Sequence, residues 1–513
     1  MTSVANTVAE LLASAPAERV AFRAPGQDPL TYGGLGQLTG RIADTLRAFG
    51  VVAEDKIAID LPNGAMAASA FLGVAGCAAA APLNPAYTFD EFKFYIEDLS
   101  AKLLICTDID GASANAAREL GVAIAIAVPV PDEMGKAGEF NLDLDLTVAE
   151  WSSEDRSSPD DIALVLHTSG TTSRPKIVPL SHRNVTTSGR NIVAALALTS
   201  DDACLNLMPL FHIHGLVGVV MTSLSAGSSI FFSPGFNAVK VYAWLDEAKP
   251  TWYSAVPTMH QAILARAARN QEIVDAMQLR FIRSSSSSLP PQVMLELTEC
   301  FGCPVIESYG MTEAAHQMTS NPLGAGQQKP GSVGLPAGPE VRIVAENGEF
   351  ISGENEGEVV ICGNNVTGGY ESNEKANQEN FFEDNGKRWF RTGDQGRLDA
   401  DGYLYITGRL KEIINRGGEK ISPREVDEVL MDHPAVNQAV AFAVKHDQLG
   451  EDIAAAVVLK EGAAAEDKEI REFARERLAG FKVPRKILLL DEIPKGATGK
   501  LQRIGLAEKL GLE

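Results

Sequence analysis

Four short apolar runs in the first third of the chain restrict the fold more than any other feature. They are Ile-Ala-Ile within 56–61, Leu-Leu-Ile-Cys within 102–106, Ala-Ile-Ala-Ile-Ala within 122–127 and Ile-Ala-Leu-Val-Leu within 161–166. Each is too short to span a bilayer and apolar on both faces, the pattern of a strand buried inside a parallel sheet. Segments of helical period alternate with such runs, at 39–49 before the first and around 65–75 and from Phe89 onward after it. This alternation predicts an α/β architecture with largely parallel sheets covered by helices. At 513 residues the chain exceeds what one core supports, so several units are expected.

Residues 61–89 carry no formal charge and are long enough to cross a membrane. The stretch is rich in Ala rather than Leu, and Pro62, Asn63, Gly64, Gly73, Gly76, Pro82, Asn84 and Pro85 interrupt it. A buried helix over 65–75 and a short strand ending at Pro82 fit better than a span.

Beyond Gly331 the pattern changes to glycine-punctuated short strands, at 340–344, 357–361 and 402–406, closer to a small antiparallel or barrel-like unit. From about Gly408 the tail reads as a compact α+β unit. Ser422-Pro-Arg-Glu425 predicts a helix start with Ser422 as N-cap, strands are expected at 439–444, 452–459 and 486–490, and a charged amphipathic helix at 467–478. The expected division is a large N-terminal domain of stacked α/β subdomains with the small β unit, 1–408, followed by a small mobile domain, 409–513.

The formal charge of −22 repels phosphate backbones and anionic headgroups, which argues against a nucleic-acid binder. An anionic ligand would need a local cationic or hydrogen-bonding site. Six dispersed cysteines, with one close pair at Cys300 and Cys303, read as incidental thiols of a reducing compartment. No basic-then-apolar leader opens the chain, and it ends Leu510-Gly-Leu-Glu513 rather than Ser-Lys-Leu, so a cytoplasmic location is expected. A monomer or dimer is the expected oligomeric state.

The densest chemical signal is His167-Thr-Ser-Gly-Thr-Thr-Ser-Arg-Pro-Lys176, directly after an apolar strand. Backbone N–H groups, small hydroxyls and two cations suit phosphate oxygens, although the Walker pattern is absent and an ordinary polar turn is the plain alternative. Ser173-Arg-Pro-Lys176 also matches the Ser-x-x-Lys of serine acyl hydrolases, but Pro175 disfavours the helix that motif needs.

Read with Tyr309-Gly-Met-Thr-Glu313, Arg391-Thr-Gly-Asp394, Gly408-Arg-Leu-Lys411 and Pro494-Lys-Gly-Ala-Thr-Gly-Lys500, the loop resembles the adenylate-forming superfamily of acyl-CoA synthetases, luciferases and peptide-synthetase adenylation domains. The five segments occur in family order across nearly the whole chain. The resemblance implies attack of a carboxylate on the α-phosphate of ATP, then thiol capture by coenzyme A. It implies that Thr168, Ser169, Gly170, Thr171, Thr172 and Lys176 wrap phosphates, that Thr312 meets the α-phosphate and that Glu313 helps hold Mg²⁺. Tyr309 would stack on adenine, with Ser286, Glu307 and Ser308 beside it, and Asp394 would accept the ribose hydroxyls next to Arg409. Lys500 would bridge carboxylate and α-phosphate. Lys411 would be the hinge whose rotation brings Gly417 and Gly418 towards the thiol arm.

A narrower resemblance concerns the acid. Pro209-Leu-Phe-His-Ile-His-Gly215, Arg280-Phe-Ile-Arg-Ser284, Thr312-Glu-Ala-Ala-His316 and Ile414-Asn-Arg-Gly-Gly-Glu-Lys-Ile-Ser-Pro423 are similar to the oxalyl-CoA synthetases of plants and yeast. A second carboxylate must be paired once buried, and His214 and His316, with hydroxyls such as Ser284 and Ser286, are the expected donors. His212 occupies a position commonly His among acyl-CoA synthetases and is an expected catalytic residue. A medium-chain fatty or aromatic, 4-coumarate-like acid is the competing substrate, and a zinc hydrolase using His212, His214 and His316 the remote one. Ile177 stands where many relatives have Gly and would be strained if that backbone needed positive φ. Ser285 and Ser287 stand where the plant enzymes carry Cys and Ala, and Gly310 where they carry Ala.

Overall fold

A computed structural model describes residues 4–131, 135–144, 157–168, 175–494 and 503–512. The four apolar runs form Lys56–Asp60, Leu103–Cys106, Ala123–Pro129 and Ile162–Thr168, all in one seven-stranded sheet with Ala79–Pro82 and two edge strands. Its interior pairs are parallel, and only the edge strands Phe140–Asp143 and Lys176–Ser181 run antiparallel. A nine-stranded sheet follows. Its parallel centre contains Ala203–Asn206, Trp252–Ala255, Phe281–Ser284 and Val305–Met311, and the antiparallel strand His316–Ser320 extends one side. Helices cover both, as strands apolar on two faces require.

The uncharged stretch is the helix Ala65–Ala75, buried at every position but Met66, and no helix among the described residues is long and apolar enough to cross a membrane. Its small residues let it lie against helix Tyr32–Ala48: a Cβ on Gly73 would sit 2.7 Å from the Ile42 side chain. That second helix begins seven residues before the expected Thr39. Thr31 caps it by accepting from Gly34 N, and buried Tyr32 and Leu35 anchor a first turn whose glycines resemble a loop.

Residues 340–409 build an antiparallel sheet of six strands, among them Glu340–Val344, Gly357–Cys362, Lys387–Leu398 and Leu404–Arg409. The small C-terminal domain has its own sheet, led by Val436–His446 and Gly450–Leu459, and its own core around Ile414, Val426, Leu430 and Ile453. Ser422 does not cap helix Pro423–Met431 with its side chain. Its hydroxyl donates instead to Thr407 O, joining the helix start to Leu404–Arg409. Ile177 lies in extended strand Lys176–Ser181, is buried and has no positive φ, so the strain expected there is absent.

Candidate active site

Three neighbouring parallel strands of the nine-stranded sheet end together, and ligand sites in such sheets lie at their carboxyl ends. Trp252–Ala255 delivers Ser254, Phe281–Ser284 delivers Arg283 and Ser284, and Val305–Met311 delivers Tyr309. His214 enters from the short helix Ile213–Gly215 and His316 from the start of His316–Ser320. The two imidazoles stack with centroids 4.9 Å apart and planes inclined by 24°. His214 reaches Ser286 Oγ through Nδ1 (2.9 Å) and Ser254 Oγ through Nε2 (2.6 Å). Ser286 has φ +73°, and Ala315 and His316 have φ +46° and +98°, so three non-glycine residues in the left-handed region surround one pair of rings. Such conformations persist only where surrounding contacts over-determine them.

Arg283 adjoins His316 and is fully buried. Its Nη1 is 3.1 Å from His316 Nε2 and its Nη2 donates to Gln317 Oε1 at 3.0 Å. A guanidinium only donates, so His316 Nε2 accepts and the neutral ring carries its proton on Nδ1. No Asp or Glu among the described residues forms an ion pair with Arg283, whose hydrogen bonds go to His316 and Gln317, and burial pushes its pKa down to about 10. It remains a cation at neutral pH, held by two neutral acceptors.

The second half of the site is built where strands Lys387–Leu398 and Leu404–Arg409 pair Asp394 with Arg409. Arg409 Nε donates to Asp394 Oδ1 at 2.8 Å and Tyr309 Oη donates to Asp394 Oδ2. The Asp394 charge drives the Arg409 pKa up, while burial first and Asp394 second drive that of Tyr309 well above its usual range. In the turn Thr312–Ala314, the buried Glu313 accepts from Tyr370 Oη at 2.8 Å. Lys176 Nζ lies 4.2 Å from the centre of the Tyr370 ring, a cation–π contact. Burial lowers the Lys176 pKa, Glu313 opposes this, and Lys411 lies close enough to lower it further. Thr168 and Lys176 pair across the two ends of the Ser/Thr/Gly loop. Ser169, Gly170, Thr171 and Thr172 lie outside the described residues, as does Lys500.

The remaining expected residues take different places. Glu307 is buried, with Oε1 accepting from Leu289 N at 2.9 Å, and burial pushes its pKa up to about 7. Ser308 O accepts from Ser285 Oγ, so this pair of residues holds the 285–289 loop. Ser284 Oγ is buried with no hydrogen-bond partner among the described residues. The His212 ring packs on Phe211, and among the described residues no three His, Cys, Asp or Glu gather as a metal site. Lys411 sits in the turn Leu410–Glu412, and Gly417 and Gly418, both at positive φ, turn the hairpin between Ile414–Arg416 and Glu419–Ile421. Arg424 of helix Pro423–Met431 donates to Ser288 Oγ, and Lys420 pairs with Glu346. Sequence reasoning gave Arg283, Ser254 and Tyr370 no part; an arginine inside the apolar strand Phe281–Ser284 was the available signal.

Strand ends carrying paired imidazoles beside a Tyr–Asp–Arg cluster, with a separate small domain behind a short joint, define the class. The chain belongs to the AMP-binding enzyme family, whose model matches residues 9–371, and the AMP-binding enzyme C-terminal domain matches 425–500. It is 44% identical over 498 residues to an oxalate–CoA ligase of Arabidopsis thaliana, covering 95% of this chain and 94% of that one. An oxalate–CoA ligase of Saccharomyces cerevisiae is 38% identical over 542 residues, covering 99% and 98%. ATP-bound MatB of Rhodopseudomonas palustris superposes with a TM-score of 0.85 at 28% identity, covering 98% of each chain. ATP-dependent acid–CoA ligation is the activity that this membership and these full-length relatives support.

Proposed function

We propose that the protein ligates oxalate to coenzyme A in two half-reactions. A carboxylate oxygen attacks the α-phosphorus of ATP and pyrophosphate leaves; the thiolate of coenzyme A then attacks the acyl carbon and AMP leaves. One observation carries the choice of acid. Arg283 is a fully buried cation with no acidic partner among the described residues, hydrogen-bonded to an imidazole that stacks on a second one. A buried charge is costly until it is paired, and a substrate that brings its own second carboxylate supplies the missing anion. An apolar acyl tail or an aromatic ring would leave the buried Arg283 charge without that anion, which disfavours the fatty or 4-coumarate-like alternative.

In this reading His214, His316, Ser284 and Ser286 hold the acid. Tyr309 receives the adenine and Asp394 the ribose hydroxyls, for which its two oxygens already bind Tyr309 and Arg409. Residues 168–172 and Lys176 bind the phosphates, Thr312 orients the α-phosphate, and His212 lines the reacting carboxylate. Glu313 offers a buried hard oxygen suited to Mg²⁺, which neutralises phosphate charge when bound. Lys500 meets the charge that develops as the α-phosphorus is attacked. The domain boundary is placed at 408/409, with rotation about Lys411 exchanging Lys500 for the Gly417–Gly418 hairpin between half-reactions.

The test is pyrophosphate release with oxalate, malonate, acetate, octanoate and 4-coumarate, each with and without coenzyme A. Oxalate is expected to give the highest kcat/KM. Highest rates with octanoate or 4-coumarate would overturn the assignment.

A further inference from the structure

Helix Ile213–Gly215 does not continue as an α-helix. It widens into the π-helical stretch Leu216–Met221, buried throughout, before Thr222–Ser225 resumes the α form, and Thr222 Oγ1 donates to Val217 O at 2.8 Å. Single π-turns inside helices frequently occur at functional sites. This one presents Gly218 to the paired rings. A Cβ there would lie 2.4 Å from His316 Cδ2, 2.5 Å from His316 Nε2 and 3.2 Å from His214 Cδ2. On the other side a Cβ on Gly310 would fall 1.8 Å from His316 O. His316, itself at φ +98°, is therefore held between two glycine backbones, and a Cβ at 218 would crowd the same Nε2 that meets Arg283.

We propose that Gly218 is a specificity-determining residue that sets the length of acid the enzyme accepts. By leaving room for the His316 ring against the π-turn, it makes imidazole, rather than open space, the boundary of the acid site. This rests on His316 belonging to the acid site, as proposed above. A methyl group at 218 would push the ring away from Arg283. Removing the ring would instead open the space in front of Gly218 to added methylene groups, and a methyl group at 218 would then close part of it again.

The experiment compares wild type, Gly218→Ala, His316→Ala and the double variant with oxalate, malonate, succinate, glutarate, butyrate and hexanoate, by pyrophosphate release. Gly218→Ala is expected to lower kcat/KM for oxalate by roughly 100-fold or more, as when a site loses a hydrogen-bonding group that reads its substrate, with KM for ATP within about threefold. His316→Ala is expected to move the optimum to longer acids, with roughly tenfold or more in kcat/KM per accommodated methylene. The double variant should shift back towards shorter acids; it lacks the two His316 atoms that most crowd the added methyl, so it remains testable if Gly218→Ala folds poorly. Oxalate kinetics in Gly218→Ala within threefold of wild type, or a double variant with the length profile of His316→Ala, would overturn the proposal. A wild type without preference for oxalate would refute the oxalate reading alone, because the shift between single and double variants is scored on length whichever acid is best.

Discussion

Replacing Arg283 by Met separates a binding cation from a structural one. The guanidinium is fully buried, donates to His316 Nε2 and Gln317 Oε1, and has no carboxylate partner among the described residues. Removing it from the empty protein relieves a desolvation penalty of several kcal/mol, while two acceptors lose partners at about 1–3 kcal/mol each. The terms nearly cancel, so the melting temperature should move by no more than about 4 °C. With substrate the balance differs. Truncating one member of a buried, hydrogen-bonded charge pair costs about 2–5 kcal/mol, and at about 1.4 kcal/mol per tenfold this lowers kcat/KM for oxalate by roughly 30- to 4,000-fold. KM for ATP should hold, since Tyr309, Asp394 and Arg409 form a separate cluster. Thermal melting and pyrophosphate release across oxalate concentrations measure both. A variant that melts about 10 °C lower yet keeps its oxalate kinetics would refute the reasoning, because Arg283 would then serve the fold.

Three further outcomes are expected. Asp394→Asn weakens acceptance from Arg409 and Tyr309 and should raise KM for ATP by roughly 10- to 100-fold, leaving KM for oxalate unchanged; titration of each substrate at saturating levels of the other reads this. Burial raises the Glu307 pKa to about 7, so the folded protein keeps a proton that the unfolded chain loses from about pH 4.5. Its contribution to stability, about 3 kcal/mol, is fully present below pH 4.5 and is lost as pH rises through 7. Glu307→Gln retains an acceptor for Leu289 N and should flatten the decline in melting temperature between pH 5 and pH 8; an unchanged slope would contradict this. Lys500→Ala should reduce ATP–pyrophosphate exchange by roughly 100-fold or more while thioester formation from supplied acyl-adenylate changes far less, and equal loss of both would reject the role given to Lys500.

Local features of the chain were readable where one segment decides its own structure. Ala65–Ala75 needed no periodicity to be recognised, because Pro62-Asn63-Gly64 and Gly76 bound it and its lack of charge requires burial. Helix Tyr32–Ala48 was misjudged at its start because Gly33 and Gly34 look like a turn; only packing against Ala17 and Leu30 explains their presence. Ser422 carried a helix-start pattern, yet its hydroxyl found Thr407 O across the domain joint. His214 and His316 could be grouped by resemblance, but their stacking depends on a π-turn and three left-handed residues that no periodicity signals. The Glu313–Tyr370 bond joins residues 57 apart in the chain and became visible only once strand Val305–Met311 and the segment after Cys362 had been brought together by the fold.

The bond between Asp394 and Arg409 puts the carboxylate proposed to take the ribose hydroxyls in contact with a residue two positions before Lys411. Any ligand that competes for Asp394 thereby acts on the strand leading into the joint between domains. Linkage makes that effect mutual: if nucleotide favours one domain orientation by some factor, locking that orientation must tighten nucleotide binding by the same factor. A crosslink between Arg424 and Ser288 positions, chosen because those side chains already meet, would therefore turn domain geometry into a measurable ATP affinity.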